Sequence, residues 1–218
     1  MKVTVIDYGL SNLLSVQHAF AHFGAEVQVT SSPADVLAAD ALVLPGVGAF
    51  QDGMQGLEQL GLIEPIKQKT AQGTLLLGIC LGMQMMNTYF LVAEEAERRG
   101  WDRPLLALFE QMKKERYMFT EPVDGHWDGH ITRDNVERFK HPVHVTPGSR
   151  LERLTGKQTI MGASMHNYRI THPAQSLCVA GRTDDGTIEA LEYGEQMLGV
   201  QFHPEADDQN DDLFRVVL

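Results

Sequence analysis

The first ninety residues leave little freedom in how this chain can fold. Four short apolar or β-branched runs, KVTVID, EVQVT, ALVLP and TLLLGI, are each followed by a stretch with helical spacing. After the first run, Leu13, Val16, Ala19 and Phe20 recur at helical intervals and Gly24 stands as a stop. Ser32 and Pro33 read as a cap and first turn for PADVLAAD. GLEQLGLIEPIKQKTAQG is helical with a break near Gly61, and LGMQMMNTYFLVAEEAERR opens another helix after the fourth run. Parallel strands need crossovers, usually helices, which cover both faces of the sheet. The alternation therefore predicts an α/β fold, with a doubly wound, mostly parallel sheet and helices on both faces.

The remainder reads differently. Residues 97–140 hold Trp101, Trp127 and many charges without a clear strand period, and are expected to form a variable insertion or lid. From about His141 the pattern turns strand-rich: HPVHVT, QTIMGAS, SLCVAGR, GTIEALEY and QMLGVQF, parted by turn residues such as Asp185-Gly186. A length of 218 residues suits one domain, 1–218, carrying that insertion.

Composition narrows the setting. A formal net charge of −11 argues against nucleic acid or an anionic membrane as a partner. Two cysteines, Cys80 and Cys178, make no disulfide framework and point to a reducing, cytoplasmic location. The opening MKVTVIDYG is broken by Asp7 and is not expected to act as a signal peptide. The apolar stretch from Leu75 to Met86 is too short to span a bilayer.

The fourth apolar run ends in Gly78-Ile79-Cys80-Leu81-Gly82, with a helix immediately after it. In an open α/β sheet, reactive groups sit beyond the carboxyl ends of the strands. G-x-C-x-G is the thiol counterpart of the strand–turn–helix nucleophile elbow. A helix N-terminus behind the sulfur favours the thiolate, and the Leu81 N–H is placed to meet an oxygen that gains negative charge. A buried structural cysteine is the bland alternative; the bracketing glycines weigh against it.

A cysteine nucleophile needs a base, and the base an orienter. QFHPEA supplies both: on a strand, His203 and Glu205 project to one side, with Pro204 stiffening the turn between them. The carboxylate fixes the tautomer and favours an imidazolium paired with a thiolate. LPGVGAF, residues 44–50, follows the neighbouring strand. Gly46 and Gly48 allow its N–H groups to turn outward, with Val47 as the expected second oxyanion donor.

These three pieces together resemble the class I glutamine amidotransferases of the Cys-His-Glu triad type, over nearly the whole chain apart from residues 97–140. The resemblance implies a flavodoxin-like fold and hydrolysis of a γ-glutamyl amide through a Cys80 thioester, with glutamine giving glutamate and ammonia. It makes His203 the acid/base and Glu205 its orienter, assigns Gln84 of GICLGMQ to the substrate, and sets Gly46 and Gly48 at the substrate edge. IDYGLSNLLSVQHAF, LPGVGAFQDGM and GICLGMQ are similar to the glutaminase subunit of imidazole glycerol phosphate synthase. HPVHVTPGSRLERLTG, DGTIEALEY and LGVQFHPE are closer to the γ-glutamyl hydrolase branch, which includes γ-glutamyl-γ-aminobutyrate hydrolase. Both branches carry a histidine at the position of His166, in a substrate-facing strand. The first likeness implies an ammonia-accepting synthase partner, the second a self-sufficient hydrolase of a substituted γ-glutamyl amine. A third reading is a non-catalytic binding or regulatory subunit that keeps the fold.

Weaker signals are weighed the same way. His126, His130, His141 and His144 cluster in sequence, but Gly125 and Gly129 make the segment a loop, and no metal is expected there. No G-x-G-x-x-G and no phosphate loop is present, so no cofactor is expected. His18 and His22 read as surface or packing residues, Met83, Met85 and Met86 as core, and Cys178 as structural within its strand. Asp7-Tyr8-Gly9 ends the first strand at the functional edge of the sheet.

Overall fold

A computed structural model describes residues 2–124, 126, 135–206 and 208–218. The first half runs β1 (Lys2–Ile6), α1 (Leu13–His22), β2 (Glu26–Thr30), α2 (Pro33–Leu37), β3 (Ala41–Gly46), α3 (Phe50–Gln59), α4 (Ile63–Ala71), β4 (Leu75–Cys80) and α5 (Leu81–Arg99). The second half runs α6 (Leu105–Lys114), β5 (Thr120–Pro122), β6 (Lys140–Val145), α7 (Arg150–Thr155), β7 (Thr159–Ala163), β8 (Tyr168–Ile170), β9 (Cys178–Arg182), β10 (Ile188–Tyr193) and β11 (Met197–Val200). Short 3-10 segments cover Val136–Phe139, Pro204–Ala206 and Asp208–Val217.

Nine strands form one sheet in the order β2-β1-β3-β4-β11-β10-β9-β6-β7. From β2 to β11 every pairing is parallel, and from β11 to β7 every pairing is antiparallel. The expected doubly wound α/β fold is present. Its parallel half comes from the alternating first ninety residues, and β11, from near the chain end, inserts beside β4. The strands β1, β3 and β4 are buried along almost their whole length, as parallel strands covered on both faces must be.

One face packs Val3, Val5, Val43 and Ile79 on α1 and the C-terminal segment, where Phe20 and Phe214 meet edge-on at 4.9 Å. The other face packs Leu42, Leu44 and Leu76 on α3, α4 and α5. A third cluster joins Leu91 and Val92 of α5 to Leu108, Phe109 and Met112 of α6, with Phe119 and Ile170 beside them.

That third cluster corrects the expectation for residues 97–140. Apolar residues at 105, 108, 109 and 112 have helical spacing, and α6 docks its buried face on α5; β5 then pairs with β8. The part of the supposed lid at 127–134, with Trp127, Gly129 and His130, lies outside the described residues, as do Met1, Gly125 and Asp207. Cys178 does begin a strand, but it is exposed rather than buried. Met83, Met85 and Met86 lie in the core, and His18 and His22 are exposed, as expected. Among the described residues, no helix is long and apolar enough to cross a membrane.

Candidate active site

Cys80 closes β4 and caps α5 with φ 54° and ψ −108°. A non-glycine residue in that region carries roughly 1–3 kcal/mol of strain, which the surrounding structure must hold. Its neighbours show why glycines flank it. A Cβ on Gly82 would overlap the Leu44 carbonyl oxygen of β3, and one on Gly78 would come within 2.6 Å of Met86 Sδ. The elbow therefore forms only where β3 and α5 can approach this closely. Gly46 pairs with Cys80 in register, which sets the 44–50 loop beside the sulfur.

Leu81 is the first residue of α5, so its N–H has no partner one turn back in the helix. Val47 does not match its expected role: its N–H donates to the Leu10 carbonyl at 2.7 Å. The N–H expected to face an oxyanion is engaged elsewhere in this structure. Gly48, at φ 102°, gives the loop a backbone that only glycine adopts easily.

His203 and Glu205 meet as expected, but through a different element. Strand β11 ends at Val200, and the 3-10 turn at Pro204–Ala206 brings Glu205 Oε1 to 2.7 Å from His203 Nδ1. The His203 N–H donates to the Ala163 carbonyl at 2.9 Å, tying the turn to β7. Burial pushes the His203 pKa down, but the charges of Glu205 and Cys80 outweigh it and hold the imidazole well above its ordinary value. The other ring nitrogen, Nε2, is buried, and Cys80 contributes to the raised pKa both through its charge and through a side-chain contact.

A residue that sequence reasoning passed over also reaches the sulfur. Gln201 is fully buried, and its Nε2 donates toward Cys80 Sγ at 3.5 Å. Its position two residues before His203 was the signal that could have found it. Gln84 Nε2 donates to Gln201 Oε1 and to the Tyr168 carbonyl, both at 3.1 Å. Both amide protons of Gln84 are thus engaged, so it braces Gln201 rather than offering those protons to a substrate.

His166 sits behind this brace. Its Nδ1 bonds the same Tyr168 carbonyl at 3.1 Å, and its Nε2 lies 3.1 Å from Glu189 Oε1. Tyr8 occupies the space left by the missing side chain of Gly46, with its hydroxyl buried and unpartnered. Burial, reinforced by the charge of Cys80, pushes its pKa up, so the phenol stays neutral. Two clefts of about 570 and 430 Å³ lie among α3, α4 and α5, and neither is lined by a triad residue. Cys80 itself is 6% exposed.

A thiol at a strained helix N-terminus, beside an imidazole held protonated by a carboxylate, is equipped for acyl transfer through a thioester. That is the class of site this fold presents. The family model for class-I glutamine amidotransferases matches residues 4–214, and the chain belongs to that family of enzymes, which act through a cysteine nucleophile. It is 60% identical over 208 residues to imidazole glycerol phosphate synthase subunit HisH 1 of Legionella pneumophila strain Paris, covering 94% of this chain and 92% of that one. It is 48% identical over 207 residues to subunit HisH of the same synthase from Symbiobacterium thermophilum, covering 94% and 86%. The likeness to the synthase subunits thus spans both halves of the chain. Among solved structures, the glutaminase domain of Trypanosoma brucei CTPS with bound acivicin superposes with a TM-score of 0.66 at 16% identity. The match covers 99% of this chain and 92% of that one, a likeness of fold.

Proposed function

We propose that the chain hydrolyses the side-chain amide of glutamine at Cys80 and delivers the ammonia to a synthase partner. The Cys80 thiolate attacks the amide carbon. His203 gives its Nε2 proton to the departing nitrogen, ammonia leaves, and a γ-glutamyl thioester remains. His203 then takes a proton from water, hydroxide attacks the thioester, and glutamate departs as the thiolate returns. The Leu81 N–H stabilises the oxyanion in both halves, joined by Val47 once its loop has turned. The carrying observation is the 2.7 Å His203–Glu205 contact beside a thiol at the elbow.

Two further observations support a partner over self-sufficiency. The relatives matched across the chain are synthase subunits by name. The Val47 N–H is tied to Leu10, so one donor is held back in the isolated chain. The test is glutamate release from glutamine and from a panel of substituted γ-glutamyl amides, with the wild-type chain and Cys80→Ala, alone and with the synthase partner. Cys80-dependent release from glutamine that rises with partner supports the proposal. Release from substituted amides by the chain alone would establish the self-sufficient hydrolase instead. Failure of an electrophilic glutamine analogue to label Cys80, even with partner present, would leave the binding subunit.

A further inference from the structure

Glu189, on β10, is fully buried, and among the described residues all its ion-pair partners are histidines. His166 Nε2, His141 Nε2 and His126 Nδ1 lie 3.1, 3.4 and 3.6 Å from its Oε1. These side chains come from four separate stretches of chain: the segment after β5, β6, the loop before β8, and β10. Of the histidines that are neighbours in sequence, His144 turns away to Asp184 at 2.6 Å, and His130 is outside the described residues.

A single proton does not satisfy this cluster. The His166 Nδ1 faces the Tyr168 carbonyl and must carry a hydrogen, so in the neutral ring Nε2 aims a lone pair at a carboxylate oxygen. Protonating His166 would mend that contact. It would still leave Glu189 Oε2 buried and without a hydrogen-bond partner, and His141 Nε2 only loosely placed at 3.4 Å from Oε1. A buried unpaired carboxylate oxygen is costly, and natural structures rarely leave one without a reason.

We propose that His126, His141 and Glu189 bind a first-row divalent metal ion, with His166 bracing the carboxylate at 3.1 Å and the fourth position left to water. The spacing suits this: bonds of about 2.0–2.1 Å in a tetrahedron put donors roughly 3.3 Å apart. The donor atoms of His126, His141 and Glu189 all lie within 4.8 Å of one another, close enough for small side-chain shifts to bring them onto one ion. The imidazole and carboxylate donor set suits zinc and its neighbours rather than magnesium or calcium.

The surroundings orient the donors as metal sites do. The far nitrogen of His126, Nε2, lies 3.4 Å from Asp185 Oδ2, and that carboxylate is fixed by Thr183 and Thr187. The far nitrogen of His166 donates to the Tyr168 carbonyl. The Ser164 hydroxyl completes the polar lining, 3.2 Å from His126 Nδ1. The ion would pin His126 to the sheet. It would also stiffen the wall behind the nucleophile, since the Glu189 carbonyl accepts from Gln201 N–H at 2.8 Å.

The test uses the full chain without a polyhistidine tag, in a Cys80→Ala background so that zinc on the nucleophile is not counted. After chelation, zinc is added, excess is removed by gel filtration, and bound metal is measured with thermal stability. The expected result is one retained equivalent and a raised Tm. Both should be lost in His126→Ala and Glu189→Gln, with affinity about tenfold weaker in Asp185→Asn. Cobalt in place of zinc should give the strong visible absorption of a four-coordinate site. Equal retention with and without His126→Ala would overturn the proposal. So would no retention at all, which would leave the cluster as a buried histidine–carboxylate pair. If Glu189→Gln does not fold, His126→Ala and Asp185→Asn still decide the outcome.

Discussion

Two buried clusters of imidazole and carboxylate flank Gln201, and they are built to opposite ends. At the triad, one histidine faces one carboxylate at 2.7 Å, and the second nitrogen of the ring is left open toward a thiol. At Glu189, one carboxylate faces three histidines, and the ring nitrogens that point away are engaged at His126 and His166. The first arrangement leaves a proton free to move. The second fixes its rings from behind and concentrates donors on one point, which holds charge still. The difference shows that burial and an imidazole–carboxylate contact do not by themselves mark a catalytic site. What marks it is the unengaged nitrogen next to a nucleophile.

The largest effect that tests this contrast is on turnover. Cys80→Ala should lower glutamate release by about 10⁴-fold or more while leaving Tm close to wild type, since alanine keeps the same backbone and loses only the sulfur. Glu189→Ala should do the reverse in kind. Removing one partner of a buried charged cluster costs about 3–5 kcal/mol, so urea or thermal unfolding should register a large loss of stability. If Glu189→Ala left stability unchanged, the cluster would not be the electrostatic anchor its geometry suggests.

Gln201 lies between the two and should show an intermediate effect. Gln201→Leu removes the donor to Cys80 Sγ and the acceptor for Gln84. One lost hydrogen bond at a reacting group is worth about 1.5 kcal/mol, so kcat/KM should fall roughly tenfold. Metal retention should be unaffected, because the tie from Gln201 to Glu189 is through the main chain. A loss of retained metal in this variant would show that the clusters are coupled more tightly than two independent sites.

The same contrast explains what could be read from the sequence. The triad is nearly local: Cys80 lies inside a five-residue elbow, and His203 and Glu205 are two residues apart. The parallel half of the sheet is equally legible, because strand and helix periods alternate there without interruption. Glu189, by contrast, looks like one of two glutamates, with Glu192, in an otherwise apolar strand until the antiparallel strands set β6 and β10 on either side of β9. Adjacency in sequence points to four histidines, of which the structure brings two to the carboxylate and adds His166 from elsewhere. Val47 departs from expectation for a related reason. A glycine loop permits an outward N–H, but the carbonyl that captures it, from Leu10, is thirty-seven residues away in sequence. The helix α6 is hidden by the charges around it, and Leu108, Phe109 and Met112 announce it only by spacing.

The smallest effect is a dependence of stability on pH that belongs to the triad. His203 has its pKa raised well above the ordinary value, against burial, by Glu205 and Cys80. A histidine whose folded pKa exceeds its unfolded value of about 6.5 adds stability in full below that pH. The contribution declines as pH rises above about 6.5 and is gone once pH passes the folded value. The stability gap between wild type and His203→Gln should therefore be at its widest at and below the unfolded value and narrow steadily as pH rises above it. Cys80→Ala removes one of the two charges that raise His203 and leaves Glu205 in place. In that background the ring should titrate lower than in wild type, as followed by NMR of the imidazole protons. An unchanged titration would mean that Glu205 alone holds the proton, and that the thiolate contributes nothing to the resting charge of the site.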